Sequence, residues 1–510
     1  MNLKNINNKK SFCFSMCAIS GILLSLSFMY ESLFWIVFFG VIPLFFVFLN
    51  NDSLNKRRTI AFILTFSMFF YGITLYWMYP LAPYINQSKA KSILILTLSI
   101  IFIGLLMGCY WSLSCFCYHK IKRNNAFDIV IFSLLFIFGE WLQGIFYPLA
   151  FPWARLANIA TPLTHFIQSA SLFGSLFISF LILIINGFLA YAIINMKTPK
   201  KCYTFVAISL AVFLVNMGYG VLHFKNIKDE NKTLNASIVQ GNFAGLEKWA
   251  TSSDYVFNLY IDTAKQSITN KTDVVLFPET AIPFDIFQHE EKYQTILNLV
   301  QEYDVTLILG YIHYEGDLKY NSMIAIMPNG EISDIYSKQL LVPMGEMIPF
   351  EFILSKIIPG TFLESTPYTK GPEGMVLKTD FAKFGGVICF ESLFPSISRK
   401  TVELDADVIA ILSNDSWFGR TPALYQHHSH AILRAVENER YVLRCSNSAI
   451  SSVISPYGKV EQVAPKYELS VLNASFNTNS DRTLYSYIGD IIVMPAAALF
   501  IFSIIKKRKH

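Results

Sequence analysis

The chain has 510 residues, of which 53% are hydrophobic and only 15% charged, with a formal net charge of +5. About a quarter of the residues of a typical soluble domain are charged, so this composition excludes an ordinary soluble protein, while the length allows roughly three domains. Residues 11–223 form almost continuous hydrophobic blocks, 224–484 have the composition of a soluble domain, and a last apolar block covers 485–505. The expected domains are therefore a seven-helix transmembrane part over 1–223, a soluble part over 224–484, and a transmembrane helix with a basic tail over 485–510.

Eight stretches reach the roughly 18 residues needed to cross a hydrocarbon core. They lie near 11–29, 32–50, 59–79, 92–117, 127–147, 164–195, 203–223 and 485–505. Lys9 and Lys10 precede the first as they would a signal peptide. No small-x-small cleavage site follows and a second span comes at once, so an anchor is expected. Cations cluster at alternate ends: Lys4, Lys9 and Lys10; Lys56, Arg57 and Arg58; Lys120, Lys122 and Arg123; Lys197, Lys200 and Lys201; and Lys506, Lys507, Arg508 and Lys509. The intervening loops hold only Lys89, Lys91 and Arg155. The positive-inside rule then predicts cytoplasmic termini, and seven preceding spans put the soluble domain on the outer face. The net positive charge follows from topology and gives no argument for nucleic acid. Glu140 lies inside the fifth span, in FIFGEWLQG, where an acid is a functional candidate by default; a helix–helix hydrogen bond would explain it equally well.

The soluble domain alternates β-rich runs with helical stretches. Strands with their exits are predicted at 235–242, 273–280, 305–314, 320–328, 384–392, 407–415, 441–448 and 451–458, and helices at 254–268, 290–304 and 423–441. Near-continuous Val/Ile/Leu runs point to strands covered on both faces, hence an α/β fold. Ligands in such folds gather at the carboxyl ends of strands. Of the eight cysteines, only Cys389 and Cys445 fall in this domain. An oxidising compartment would let them pair, but one bridge adds little to a domain of this size. His427, His428 and His430 cluster on a predicted helix without the ligand spacing of a zinc site, so no metal is expected.

Three segments carry nucleophile chemistry. FPET supplies Glu279, YSKQLLVPMGE supplies Lys338 and Glu346, and VICFES supplies Cys389 and Glu391. A cysteine attacks as thiolate, which a nearby ammonium favours. A glutamate can take its proton, and the same lysine can stabilise an oxyanion. The fold, and not sequence spacing, must bring them together.

These segments resemble, in order, the three signatures of the nitrilase superfamily. With VQGNF (239–243), LEKW (246–249), LVPMGE (341–346), SNDSWFG (413–419) and the following Gln426–His427, the whole chain resembles the apolipoprotein N-acyltransferases of bacterial inner membranes. The resemblance implies a multi-span helical membrane domain plus an exofacial αββα sandwich with a Glu279–Lys338–Cys389 triad. It also implies ping-pong acyl transfer from a phospholipid, expected to be phosphatidylethanolamine, to the amine of a diacylglyceryl-cysteine on an apolipoprotein, with no cofactor and a monomeric enzyme. Glu279 would be the base, Lys338 would hold the oxyanion, and Glu346 would orient Lys338 or the amine. Trp249 would sit on a loop near the lipid entrance, with Glu391, Asn414 and Glu140 in supporting positions. Two departures stand out: Gln143 replaces an expected Arg ahead of FPW (151–153), and Phe390 stands where some relatives have Tyr. A membrane-tethered amidase and an inactive lipoprotein-binding scaffold are the rival readings; eight spans exceed what the amidase needs, and a kept triad argues against the scaffold.

Overall fold

The computed structural model describes residues 10–85, 87–226, 232–245, 247–351 and 367–506. The chain divides into two compact units, one of Met1–Ala82, Ser88–Asn226 and Ile488–His510, the other of Pro83–Gln87 and Ile227–Tyr487.

The first unit is helical. Among the described residues, six helices are long and apolar enough to cross a membrane: Lys10–Met29, Glu31–Asn50, Lys56–Tyr84, Lys89–Ile121, Ser175–Ile194 and Pro199–Phe224. Three expected spans differ in detail. The fifth is the helix Phe127–Leu142, 16 residues long and followed by turns. The sixth is broken at Gly174 (φ 77°), so that the long helix begins at Ser175. The last is interrupted at Gly489 (φ 58°) into Leu484–Ile488 and Val493–Ile505. Glycine adopts this left-handed backbone at little cost, which is where an apolar run stops being one helix. Glu140 is fully buried, and its Oε1 accepts the Leu156 N–H at 3.1 Å. Gln143 accepts from the Tyr71 hydroxyl at 3.1 Å and donates to the Met107 carbonyl at 3.3 Å. Both side chains thus serve as cross-links between segments of this unit.

Among the described residues, the second unit contains twelve strands. One sheet comprises β1 (Thr233–Gln240), β2 (Val274–Leu276), β3 (Thr306–Glu315), β4 (Leu318–Ile326), β5 (Tyr336–Ser337) and β12 (Ser470–Asn477), in the order β12-β1-β2-β3-β4-β5. The other comprises β6 (Val376–Lys378), β7 (Lys383–Ile388), β8 (Val408–Ser413), β9 (Val442–Ser446), β10 (Ser452–Ile454) and β11 (Val460–Val463), in the order β11-β10-β9-β8-β7-β6. In each, three central strands are parallel (β1-β2-β3 and β7-β8-β9) and the flanking pairs antiparallel.

The period of two in these strands assigns their faces. Val274 and Leu276 join Ile308, Phe384, Ile388, Ala410 and Leu412 in a core between the sheets. Val275, Leu307 and Leu309 turn the other way and pack on Phe257, Tyr260, Leu299 and Val300 of the helices Ser253–Ser267 and Glu290–Tyr303. Helices Pro395–Glu403 and Ala423–Asn438 pack on the second sheet, completing the αββα layering. Each buried aliphatic side chain contributes about 1.5–3 kcal/mol, so the inter-sheet core is what fixes the strand ends. Gly386 lies in that core because a Cβ there would come within 2.9 Å of both Met323 Sδ and the Tyr336 ring.

Candidate active site

Four chain segments converge just beyond strand ends. Glu279 lies three residues past β2, Lys338 directly follows β5, Cys389 directly follows β7 and Asn414 directly follows β8. Because β7 and β8 are parallel neighbours with Ile388 opposite Leu412, the last two exits leave side by side.

Lys338 is 1% exposed, and its Nζ lies 3.1 Å from Glu279 Oε1 and 2.9 Å from Glu346 Oε1. Asn321 Nδ2 donates to the same two oxygens at 2.8 and 3.1 Å. The backbone N–H of Asn414 donates to Glu279 Oε2 at 2.8 Å, and that of Val342 to Glu346 Oε2 at 2.8 Å. Burial by itself would lower the Lys338 pKa, but the two carboxylates hold it well above the usual lysine value. The lysine is therefore a fixed cation.

Cys389 has the opposite balance. Burial first, and then the Glu279 carboxylate, push its thiol well above the usual range, with Lys338 opposing them. The resting group is the thiol, and a proton must leave before it can attack. Its backbone is left-handed (φ 51°), as is that of Thr280 (φ 48°) beside Glu279. Such values are uncommon for residues other than glycine, and for a β-branched residue they are outliers that cluster at functional sites.

Surrounding groups hold these two turns. Lys248 Nζ donates to the Thr280 hydroxyl at 2.9 Å and to the Glu279 carbonyl at 3.3 Å. Burial pulls the Lys248 pKa down to about 7. Glu391 accepts from the N–H groups of Ile388, Gln339 and Leu340 at 2.7, 2.6 and 3.2 Å and from the Tyr336 hydroxyl at 2.7 Å. One carboxylate thus ties the segment bearing Lys338 to the turn bearing Cys389. Burial raises its pKa to about 7, opposed by the Ile388, Tyr336 and Gln339 donors and by the Lys338 charge.

Of the residues expected from sequence, Glu279, Lys338, Glu346, Cys389, Glu391 and Asn414 come together here. Glu140 belongs to the first unit. Trp249 is on the four-residue helix Glu247–Ala250, and its side chain lies outside what the structure describes. Asn321, which bridges both carboxylates, had no signal in the sequence: it stands inside β4 among ordinary strand residues. Cys445 is a free thiol buried between the sheets, its Sγ 3.4 Å from the Val239 carbonyl, and is not bridged to Cys389. The ligand atoms of Cys389, Asp415 and His427 lie within 4.8 Å of one another. Yet both His427 ring nitrogens and both Asp415 oxygens already have hydrogen-bond partners within the protein, so this donor set suits a hydrogen-bond network better than a cation.

Residues 235–482 match the carbon-nitrogen hydrolase family model, and residues 20–188 match that of the apolipoprotein N-acyltransferase N-terminal domain. The apolipoprotein N-acyltransferase of Geobacter metallireducens is 27% identical over 503 residues, spanning 95% of this chain and 93% of that one. That of Synechocystis sp. is 26% identical and spans 90% and 94%. The chain belongs to the apolipoprotein N-acyltransferase family. In this family member, the carbon-nitrogen hydrolase match falls on the twelve-stranded unit and the N-terminal match on the apolar helices. A solved Saccharomyces cerevisiae member of branch 10 of the nitrilase superfamily is 18% identical, with a TM-score of 0.38, covering 51% of this chain and 95% of its own.

Proposed function

We propose that this apolipoprotein N-acyltransferase moves a fatty acyl chain from a phospholipid to the N-terminal amine of a diacylglyceryl lipoprotein, through a thioester on Cys389. The observation that carries the reading is the buried Lys338 cation, paired with Glu279 and Glu346 and beside the Cys389 thiol.

In this reading each group has a role that the geometry supports. Glu279, fixed by Asn321 and Asn414, takes the thiol proton as the sulfur attacks the ester carbonyl. Negative charge then develops on the carbonyl oxygen, and Lys338 stabilises it from a position that needs no reorganisation. The tetrahedral adduct collapses to a thioester, and Glu279 returns its proton to the departing lysophospholipid oxygen. In the second half, Glu279 takes a proton from the incoming amine, the nitrogen attacks the thioester, and the sulfur leaves and is reprotonated. Glu346 holds Lys338 as its second carboxylate partner. Glu391 keeps the two turns in register, and Trp249, on the short helix Glu247–Ala250, belongs at the lipid entrance.

Phosphatidylethanolamine is the proposed donor and the enzyme acts as a monomer. Eight spans, seven over 1–223 and one within 485–510, hold the 224–484 domain at the periplasmic face of the inner membrane with both termini cytoplasmic. Intact-mass spectrometry of wild type and Cys389→Ser after incubation with phosphatidylethanolamine tests the chemistry. A hydroxylamine-labile acyl adduct on wild type alone is expected. A folded, reduced wild type that gains no adduct and leaves the lipid intact returns the site to amidase chemistry.

A further inference from the structure

The proposed steps use Glu279, Lys338 and Cys389, yet a second buried polar chain ends on the nucleophile itself. His427 projects from the helix Ala423–Asn438, and its Nε2 lies 3.1 Å from the Cys389 carbonyl and 3.0 Å from Ser392 Oγ. A carbonyl can only accept, so toward Cys389 this nitrogen is the donor. The Ser392 hydroxyl donates to the same carbonyl at 2.8 Å. On the far side of the ring, Nδ1 is 2.8 Å from Asp415 Oδ1. Asp415 Oδ1 also accepts from Ser413 Oγ at 2.7 Å, and its Oδ2 from Arg444 Nη2 at 2.6 Å. Arg444, on β9, is anchored in turn by the Ile450 carbonyl at 2.7 Å. Asp415, His427 and Arg444 are each at most 1% exposed. The Arg444 guanidinium, followed by His427, holds the Asp415 carboxyl far below the usual carboxylate range, although burial opposes this.

We propose that His427, oriented by Asp415 and Arg444, is a positioning residue for the nucleophile: it grips the Cys389 carbonyl and so keeps the left-handed turn that aims the sulfur. Ordinary core packing explains a buried Arg–Asp–His chain, but not why it terminates on the carbonyl of a residue whose backbone needs holding. That carbonyl belongs to the residue with the strained φ, its carbon being the last atom of that torsion, so losing a donor there lets the turn relax toward commoner conformations and swings Sγ away from Glu279. The proposal rests on the thioester reading above.

The test compares two near-isosteric variants of the full-length enzyme in detergent. His427→Gln keeps an amide donor at the Nε2 position and loses the contact to Asp415. His427→Asn keeps a donor at the Nδ1 position and loses the contact to Cys389. Two rates are read: acyl-adduct formation from phosphatidylethanolamine, and alkylation of Cys389 by iodoacetamide, with thermal unfolding as the check on folding. A small misplacement of a reacting atom costs about 100-fold, so His427→Asn is expected to slow both rates about that much while His427→Gln stays within about tenfold of wild type. Equal rates in the two variants, or His427→Asn within about threefold of wild type, overturn the assignment. Where His427→Asn does not fold, His427→Gln decides: retention within about tenfold supports the assignment, and a folded variant slowed about 100-fold overturns it. Should wild type alkylate but form no acyl adduct, the thioester reading fails, and the alkylation ratio still judges His427.

Discussion

Two buried lysines flank Glu279, and their opposite shifts show what sets the charge of an ammonium in this site. Lys338 faces two carboxylates and is held protonated. Lys248 meets a carbonyl and a hydroxyl, and burial outweighs the Glu279 charge, so its pKa falls to about 7. A cation needs a counter-charge to remain one inside a protein. The shift carries a stability signature. The unfolded chain keeps Lys248 protonated up to a pKa of about 10.4, whereas the folded chain releases that proton near 7. Between those values the unfolded state binds more protons, so this group makes stability rise with pH, by about 1.4 kcal/mol per unit at most. Lys248→Met removes the contribution. In thermal unfolding from pH 7 to pH 10, the variant's Tm should exceed the wild-type trend most at pH 7 and converge on it by pH 10. A constant offset across that range would show that Lys248 is protonated equally in both states.

At the scale of elements, the site depends on how closely the two sheets approach. The runs DVVLFPET, VTLILGYIHY and DVIAILSND were legible as strands because both faces are covered and apolar residues fill them. The α/β class and the strand-end placement of Glu279 follow from the same runs, and that of Cys389 from FGGVICFES. Four strands were not visible in this way. β5 has two residues and β6 three, too few for a period to register. β11 is largely exposed, and β12 alternates buried Leu472, Ala474 and Phe476 with Asn473 and Ser475, the pattern of a strand open to solvent on one face. The Asp415–His427–Arg444 chain was illegible because its members are 12 to 29 residues apart and meet only through the packing of β8, β9 and a helix. Gly386 tests the sheet contact. Gly386→Val would drive a side chain into Met323 and Tyr336, the latter being the residue whose hydroxyl binds Glu391. Overpacking of this kind costs about 1–3 kcal/mol. The variant should unfold at lower temperature, and its Cys389 should alkylate more slowly than in Gly386→Ala. Wild-type alkylation in a folded Gly386→Val would separate the sheet contact from the geometry of the nucleophile turn.

For the whole molecule, everything proposed about sidedness depends on parity. An odd number of crossings before the soluble unit puts it opposite the N-terminus, and one crossing after it returns the chain. The two shortest candidates decide the count. Phe127–Leu142 has 16 residues and Val493–Ile505 has 13. At 1.5 Å per residue the second is about 20 Å long, against a hydrocarbon core of about 30 Å. A helix this short crosses only if the bilayer thins locally and flanking groups reach to its surfaces. The chain has such groups: Lys506 follows the helix directly, with Lys507, Arg508 and Lys509 after it. Basic side chains reach outward along their aliphatic stems, and their excess marks the cytoplasmic side. A green fluorescent protein fused after residue 510 should therefore fluoresce, and alkaline phosphatase at the same point should be inactive. Active phosphatase there would mean that Val493–Ile505 does not cross. The C-terminus would then share a side with the soluble unit, and the chain would need an odd number of crossings in all.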